Sequence, residues 1–235
     1  EAVQVLQGHF VSKEAEYQKY CQIDILENDP AGMIKRLQSY TERLTHIPFY
    51  TQVEDIIKVG IARYKEKYLP GIKSEDPFVL YQKYSRRDVS LLMNCGKDLS
   101  SIMYGMKRIE NDVFIFITYH KEESQDEKNY VDGKPDYADA FEDNLIFKWD
   151  SQIGKGLDSS YMKDVLGADR KHLFVKKSDA ETSFYYMGQF DVLEARNAQK
   201  EDNRGRMQPI TKVTMKMHHA VREDLLRYLQ SHITA

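Results

Sequence analysis

Apolar residues along the first 70 or so positions recur at spacings of three and four. Ala15 to Leu26, Gly32 to Leu44 and Gln52 to Tyr68 each carry such a stripe, as in Val53, Ile56, Ile57, Ile61 and Tyr64. That period predicts three amphipathic helices. Asp29-Pro30 places a proline just inside the start of the second, and Ile47-Pro48 marks its end. A bundle of three short helices buries too little apolar surface to be stable alone, so a packing role against something else is expected. Leu69-Pro70-Gly71 to Asp76-Pro77 reads as the linker, giving domains over 1–74 and 77–235.

Beyond residue 77 the period changes. Val113 to Tyr119 is a continuous β-branched and aromatic run, the pattern of a strand covered on both faces. Leu145–Trp149, His172–Val175, Phe184–Met187 with Gln189–Leu193, and Lys212–Met217 read as further strands. Gly188, between two strand-like halves, predicts a bulge or sharp bend. Helices flank the strands. Ser85-Arg86-Arg87-Asp88 resembles a capping box with Asp in place of Glu, and His219 to Leu229 sets Val221, Leu225, Leu226 and Leu229 on one face. The expected class is α+β, a helical bundle followed by a curled sheet or open barrel.

Composition narrows the class. Apolar residues make up 41% of 235, and the net charge is only −3, which excludes intrinsic disorder. No run approaches 18 apolar residues, so no membrane-spanning helix is expected. Cys21 and Cys95 are too few for a disulfide scaffold and fit a reducing, cytoplasmic setting. The chain starts at Glu1 without a signal-peptide pattern and reads as a piece of a longer protein. Its charge is unevenly spread. Glu122 to Asp143 sums to −7, whereas Arg196 to Arg222 sums to +5, and Arg170-Lys171 and Lys176-Lys177 add more positive charge. A basic cluster of this kind is most often a solvated face, with phosphate contact the functional alternative.

Catalytic signatures are weak. His218 and His219 are adjacent and point apart on any regular element, and no ligand set of metal spacing accompanies them. Gly154-Lys155-Gly156 lacks the rest of a phosphate-binding loop, and neither Ser nor Cys sits in a nucleophile motif. Acids followed by lysine, as in Asp143 with Lys148, are the one pattern compatible with a metal-dependent nuclease. No catalytic or metal-binding residue is assigned.

Tyr119 to Ser160 is more informative. An acidic, aromatic-bearing segment joins two strands there, with Tyr137 and Asp139 twelve and ten residues before Trp149. Flat rings with a carboxylate between them are suited to hold a planar base, the acid accepting from an exocyclic amine. The same residues also suit a barrel core, or a protein-interaction module.

Three separated stretches, Tyr84–Val89, Phe116–Lys121 and Phe147–Ser151, resemble the C-terminal domain of bacterial helicase-nuclease restriction proteins of the SauUSI type. The resemblance covers residues 77 to 235 and, less securely, assigns the helical part to a coupler. It implies a reader similar to the SRA (SET-and-RING-associated) domain, which flips 5-methylcytosine out of double-stranded DNA, with 5-hydroxymethylcytosine as an extension. The fragment itself would be non-catalytic and need no cofactor. ATP and Mg would serve the helicase and phospholipase-D-like nuclease domains of the same bacterial, cytoplasmic parent chain. In that family two aromatic rings sandwich the flipped base, an acid reads its edge, and a Gly-rich turn follows the second ring. Tyr137, Trp149 and Gly154-Lys155-Gly156 match that order. Asp139 stands near the acid's place, with Asp136 and Asp150 as substitutes and Tyr119 and Tyr130 as rival stacking partners; Ser151 closes the pocket motif. The loop Asn197–Gln208, with Arg204 and Arg206 around Gly205, is the expected gap-filling and phosphate-binding element. Lys155, Arg170 and Lys171 are the further DNA-backbone candidates.

Overall fold

A computed structural model describes residues 25–28, 34–68, 77–95, 97–120, 130–131, 134–135, 139–202 and 204–231. They divide into two compact units, one from the chain up to Gln82 together with Arg86–Ser101, the other from Lys83–Ser85 and Ile102 onward. The first unit departs from three helices. Strands β1 (Leu26–Asn28) and β2 (Ile34–Arg36) pair antiparallel where helical spacing predicts helix. Helix α1 is short (Gln38–Arg43), and α2 is long (Ile47–Tyr68). Pro48 therefore opens α2 instead of only ending its predecessor, since a first-turn proline lacks an N–H that would be unpaired anyway. The Asp29-Pro30 signal, the 15–24 stripe and the 69–76 linker lie outside the described residues. Helix α3 (Arg86–Leu92) forms where predicted and buries Val89 and Ser90; the Ser90 hydroxyl donates to the Arg86 carbonyl and accepts from the Leu99 amide.

The second unit is mixed α+β, a large open sheet with few helices. Its strands are β3 (Lys83–Tyr84), β4 (Met106–Ile109), β5 (Asp112–His120), β8 (Ala140–Phe141), β9 (Ile146–Asp150), β10 (Arg170–Ser178), β11 (Phe184–Glu201) and β12 (Met207–Met217). Between β5 and β8, the short strands β6 (Tyr130–Val131) and β7 (Lys134–Pro135) pair only with each other. The sheet order is β4-β5-β10-β11-β12-β9-β8, with β3 on β11. The β5/β10 pair is parallel and its neighbours antiparallel. Val113 to Ile117 are buried at the centre, as the unbroken apolar run requires.

Phe114 stacks on His172 (4.7 Å, 6°), Phe116 on Phe174 (5.0 Å), and Tyr186 leans on Phe174 at 4.9 Å. Each such ring contributes about 1.5–3 kcal/mol by leaving water. At the mouth of the parallel pair, buried Asp112 accepts two bonds from the Arg170 guanidinium (2.8 and 2.6 Å).

Strand β11 is 18 residues long and serves both halves of the sheet. Its first part pairs with β10 and its second with β12. Gly188 adopts φ +101° beside a register shift at Leu173/Phe174, so the predicted bend is present, in a conformation open to glycine. A second shift lies between Val192 and Glu194. Helix α4 (Ser160–Leu166) buries Met162 and Val165. Helix α5 (Glu223–Gln230) buries Leu225 and Leu229, and the His120 imidazole donates to the Leu229 carbonyl at 2.7 Å. No helix among the described residues is long and apolar enough to cross a membrane.

Candidate functional site

Pairing of Ala140 with Lys148 brings the start of β8 against the end of β9. Asp139 then lies beside Asp150, whose amide donates to its Oδ1 at 2.9 Å. Alternation along β9 turns Phe147 and Trp149 to the buried face and Lys148 to solvent. Trp149 meets the ring of Tyr161, centre to centre 6.3 Å and tilted 31°. Tyr161 is held there by the first turn of α4, capped by the Ser159 hydroxyl, which accepts from the Met162 amide at 3.2 Å.

The Tyr161 hydroxyl is buried and finds no hydrogen-bond partner among the described residues. Burial, and then the nearby Asp139 charge, push this phenol far above its ordinary range, so it keeps its O–H at neutral pH. Lys155 Nζ lies 5.9 Å from the centre of the same ring. The turn at Gly105 (φ +72°) closes another side. A side chain there would collide with the Gln152 amide, which donates to the Tyr104 carbonyl, and would approach the Tyr161 hydroxyl to 3.5 Å. A buried carboxylate, an indole and a phenol without a hydrogen-bond partner among the described residues are thus grouped at this end of the sheet.

Of the predicted pocket residues, Asp139 and Trp149 come together, whereas Tyr137 and Asp136 lie outside the described residues, as does the side chain of Tyr130. Tyr119 is elsewhere. It is buried on β5, and that burial raises its phenol above the ordinary value. Asp150 pairs with Lys212 at 3.2 Å on the opposite face from Trp149. Ser151 is a structural joint, donating to the Lys155 carbonyl (2.6 Å) and accepting from the Thr211 amide (2.8 Å). Sequence reasoning missed Tyr161. Ser159 as a cap, followed by Met162 and Val165 at helical spacing, was the available signal.

Among the backbone-contact candidates, Arg170 is engaged by Asp112 and Lys171 donates to the Ala168 carbonyl at 2.7 Å. Residues 197–201 and 207–208 are strand, not loop, so the predicted gap-filling segment shrinks to the turn 202–206. There Asp202 accepts from the Arg204 and Arg206 amides (2.9 and 3.0 Å) and pairs with the Arg206 guanidinium. Arg204 is exposed. The Gly154-Lys155-Gly156 turn is laid against the base of this hairpin: Gly154 N–H donates to the Pro209 carbonyl and Leu157 N–H to Asn197 Oδ1.

On the polar face of β9 and β12 lies a cleft of about 400 Å³, whose cations are matched by acids, Lys148 with Glu142 and Lys212 with Asp150. Asp143 caps the turn before β9, accepting from the Leu145 and Ile146 amides. The acid-and-lysine pair suggested by sequence is therefore divided between two structural tasks. Among the described residues no cluster of three or more His, Cys, Asp or Glu is arranged to hold a metal.

Among solved structures, the chain is similar to an MspJI restriction endonuclease in complex with a 27-mer oligonucleotide (10% identity, TM-score 0.29, 50% of this chain and 37% of that one). It is also similar to the sulfur-binding and SRA domains of ScoMcrA complexed with phosphorothioated DNA (10% identity, TM-score 0.32, 66% of this chain and 45% of that one). This chain thus spans less than half the length of either. No curated protein matches it. A family model matches residues 78–229, well over half of the sequence, and the chain belongs to the family described as a domain of unknown function, DUF3427.

Proposed function

We propose that residues 77–235 form an SRA-like reader of modified cytosine in double-stranded DNA, and that the base is flipped into the space between Trp149 and Tyr161. The carrying observation is the buried Tyr161 hydroxyl without a partner among the described residues, set beside the Asp139 carboxylate. A buried unpaired donor costs about 1–3 kcal/mol, a cost that a bound ligand removes. The edge of cytosine offers an exocyclic amine that donates and a ring nitrogen and carbonyl that accept. Asp139 accepts from the amine, and Tyr161 donates to an acceptor on the same edge. Trp149 is 3% exposed, so entry requires the two rings to part. Their centres are 6.3 Å apart and their planes tilted by 31°, so the rings must also turn to lie parallel on the two faces of a base.

Flipping costs a few kcal/mol, offset by stacking and these bonds. A single methyl adds about 1–3 kcal/mol in a fitted apolar spot, so preference for 5-methylcytosine over cytosine should be about 10- to 200-fold at most, with 5-hydroxymethylcytosine a further ligand to measure. In this reading the fragment recognises and does not cleave. It is the specificity module of a SauUSI-type, ATP-dependent type IV restriction protein, with residues 1–74 coupling it to helicase and nuclease domains. The resemblance of Tyr84–Val89, Phe116–Lys121 and Phe147–Ser151 to that family supports this assignment.

The test is binding of a duplex bearing one 5-methylcytosine against its unmodified twin, at stated salt, for the parent chain and for Tyr161→Phe and Asp139→Asn. Preference in the parent chain, lost in both variants while they stay folded, is the expected result. Equal affinity of the parent chain for both duplexes overturns the reading, and divalent-metal-dependent cleavage would favour a nuclease instead.

A further inference from the structure

Two turns with fixed backbones meet beside the Tyr161 hydroxyl. Residues 104–106 form the first, and it is tied into the sheet: Met106 N–H donates to the Tyr104 carbonyl at 2.9 Å and Phe116 N–H to the Gly105 carbonyl at 2.7 Å. Residues 151–155 form the second, held by the Ser151 hydroxyl on the Lys155 carbonyl and by Gly154 N–H on the Pro209 carbonyl. What joins the two turns is a side chain. The Gln152 carboxamide reaches across to the Tyr104 carbonyl, and 3.3 Å is long for such a bond. Gln152 is exposed, so water competes for its amide.

The seat of that amide is the bare Cα of Gly105. A Cβ there would stand 2.4 Å from Gln152 Nε2 and 3.5 Å from the Tyr161 hydroxyl, so amide and phenol face the same small space. With φ at +72°, any other residue would be strained there as well as crowded. The amide nonetheless leaves the buried hydroxyl without a hydrogen bond. It covers a polar group that it does not satisfy, and a change of rotamer is enough to lift it.

We propose that Gln152 is a gate over the Tyr161 hydroxyl: its carboxamide rests on Gly105 and the Tyr104 carbonyl in the free protein and swings out to admit a ligand. Exposed side chains change rotamer in picoseconds to nanoseconds, so the gate sets how often the site is open and does not limit the rate of entry. A ligand that needs the open form binds more weakly in proportion to the population of that form, and removing the gate lifts the penalty. The ligand, a flipped base, rests on the preceding reading, but opening is measurable without DNA.

Trp149 is the single tryptophan of the chain and meets the Tyr161 ring, so quenching of its fluorescence by acrylamide reports access to this site. The full chain is compared with Gln152→Ala, which removes the carboxamide, and with Gln152→Glu, which keeps its size and loses its donor. Ile153→Ala, at an exposed neighbour on the same turn, is the control. Circular dichroism and thermal melts check that all are folded. The expected result is a quenching constant raised about twofold or more in both Gln152 variants, with unchanged melting temperatures and an unchanged control. Affinity of Gln152→Ala for a duplex bearing one 5-methylcytosine should rise by a similar factor. Equal quenching in the wild-type chain and both Gln152 variants overturns the gate, while a wild-type preference for the modified duplex over its unmodified twin leaves the base reading standing. Raised quenching shared by the control, or accompanied by lower melting temperatures, marks general loosening and also overturns the gate. So does raised quenching with preference for the modified duplex but no gain in affinity for it. Raised quenching in the Gln152 variants alone, with no preference in the wild-type chain, keeps the gate and sinks the base reading.

Discussion

Two places in the sheet domain are built from the same residue types. Around Glu181 stand Lys83, Lys177, Tyr185 and Tyr228; around Asp139 stand Lys155, Trp149 and Tyr161. In the first every polar demand is met. Glu181 accepts from Lys83 Nζ at 2.6 Å, the Lys177 amide at 2.8 Å and the Tyr228 hydroxyl at 2.9 Å, while Lys83 and Lys177 also lie over the Tyr185 and Tyr228 rings. In the second the phenol has no partner among the described residues. The first cluster fastens α5 and β3 to the sheet; the second holds an unspent donor beside a carboxylate. Acid, lysine and ring in proximity do not by themselves make a binding site; a buried donor left without a partner among the described residues is what separates the second place from the first.

That contrast can be broken most forcefully at Trp149. Its ring is almost wholly buried, so Trp149→Ala should cost about 3–5 kcal/mol in urea or guanidinium unfolding, whatever it does to binding. A loss under 1 kcal/mol would show that the indole packs against little but a ligand. Next comes Glu181→Gln, expected to cost about 1–3 kcal/mol because it weakens charge-assisted bonds to three partners.

The pH dependence follows from the same group. Burial alone would raise the Glu181 carboxyl, but the bonds from Lys83, the Lys177 amide and Tyr228 outweigh it and hold it below its ordinary value of 4.5. The unfolded chain then binds the proton first. This contribution is full above about pH 5 and fades as the pH falls through the lowered folded value. Wild-type stability should therefore drop more steeply than that of Glu181→Gln between pH 5 and 3, and parallel curves would count against the cluster. Lys83 has the opposite sign: its raised value holds the pair together until strongly alkaline pH.

The smallest effects sharpen the comparison best, because one substitution should act with opposite signs at the two places. Tyr228→Phe removes a made bond and should cost about 1 kcal/mol. Tyr161→Phe removes an unmade one and should leave stability unchanged or raise it by up to about 1 kcal/mol. Paired thermal melts decide the matter. A clear destabilisation by Tyr161→Phe would show that its hydroxyl is already satisfied within the protein.

Much of the sheet was legible in the sequence because its central strands carry strong patterns. The Val113–Tyr119 run, the two halves meeting at Gly188 and the Val221/Leu225/Leu229 face all reappear in the fold. The two-stranded ribbon that β11 and β12 form beyond Arg196 was not legible. Its strands pair chiefly with each other, and their polar composition reads as loop when packing is the signal sought. The strands at Leu26 and Ile34 were hidden by apolar residues whose spacing also suits a helix. The candidate site was half legible. Asp139 and Trp149 are ten residues apart and joined by a local hairpin, whereas Tyr161 reaches them through α4, a helix of seven residues too short for its period to stand out.

Because β11 runs unbroken from the aromatic core to the tip of the ribbon, its length is constrained by parity. One residue inserted between Arg196 and Glu201 would turn every side chain beyond it to the opposite face, exchanging the surface that carries Lys200 for the one that carries Glu201. Ribbons of relatives should accordingly differ in length by two residues per strand, or repay an odd insertion with another bulge like that at Val192/Glu194. Length variation across the family would then come in even steps.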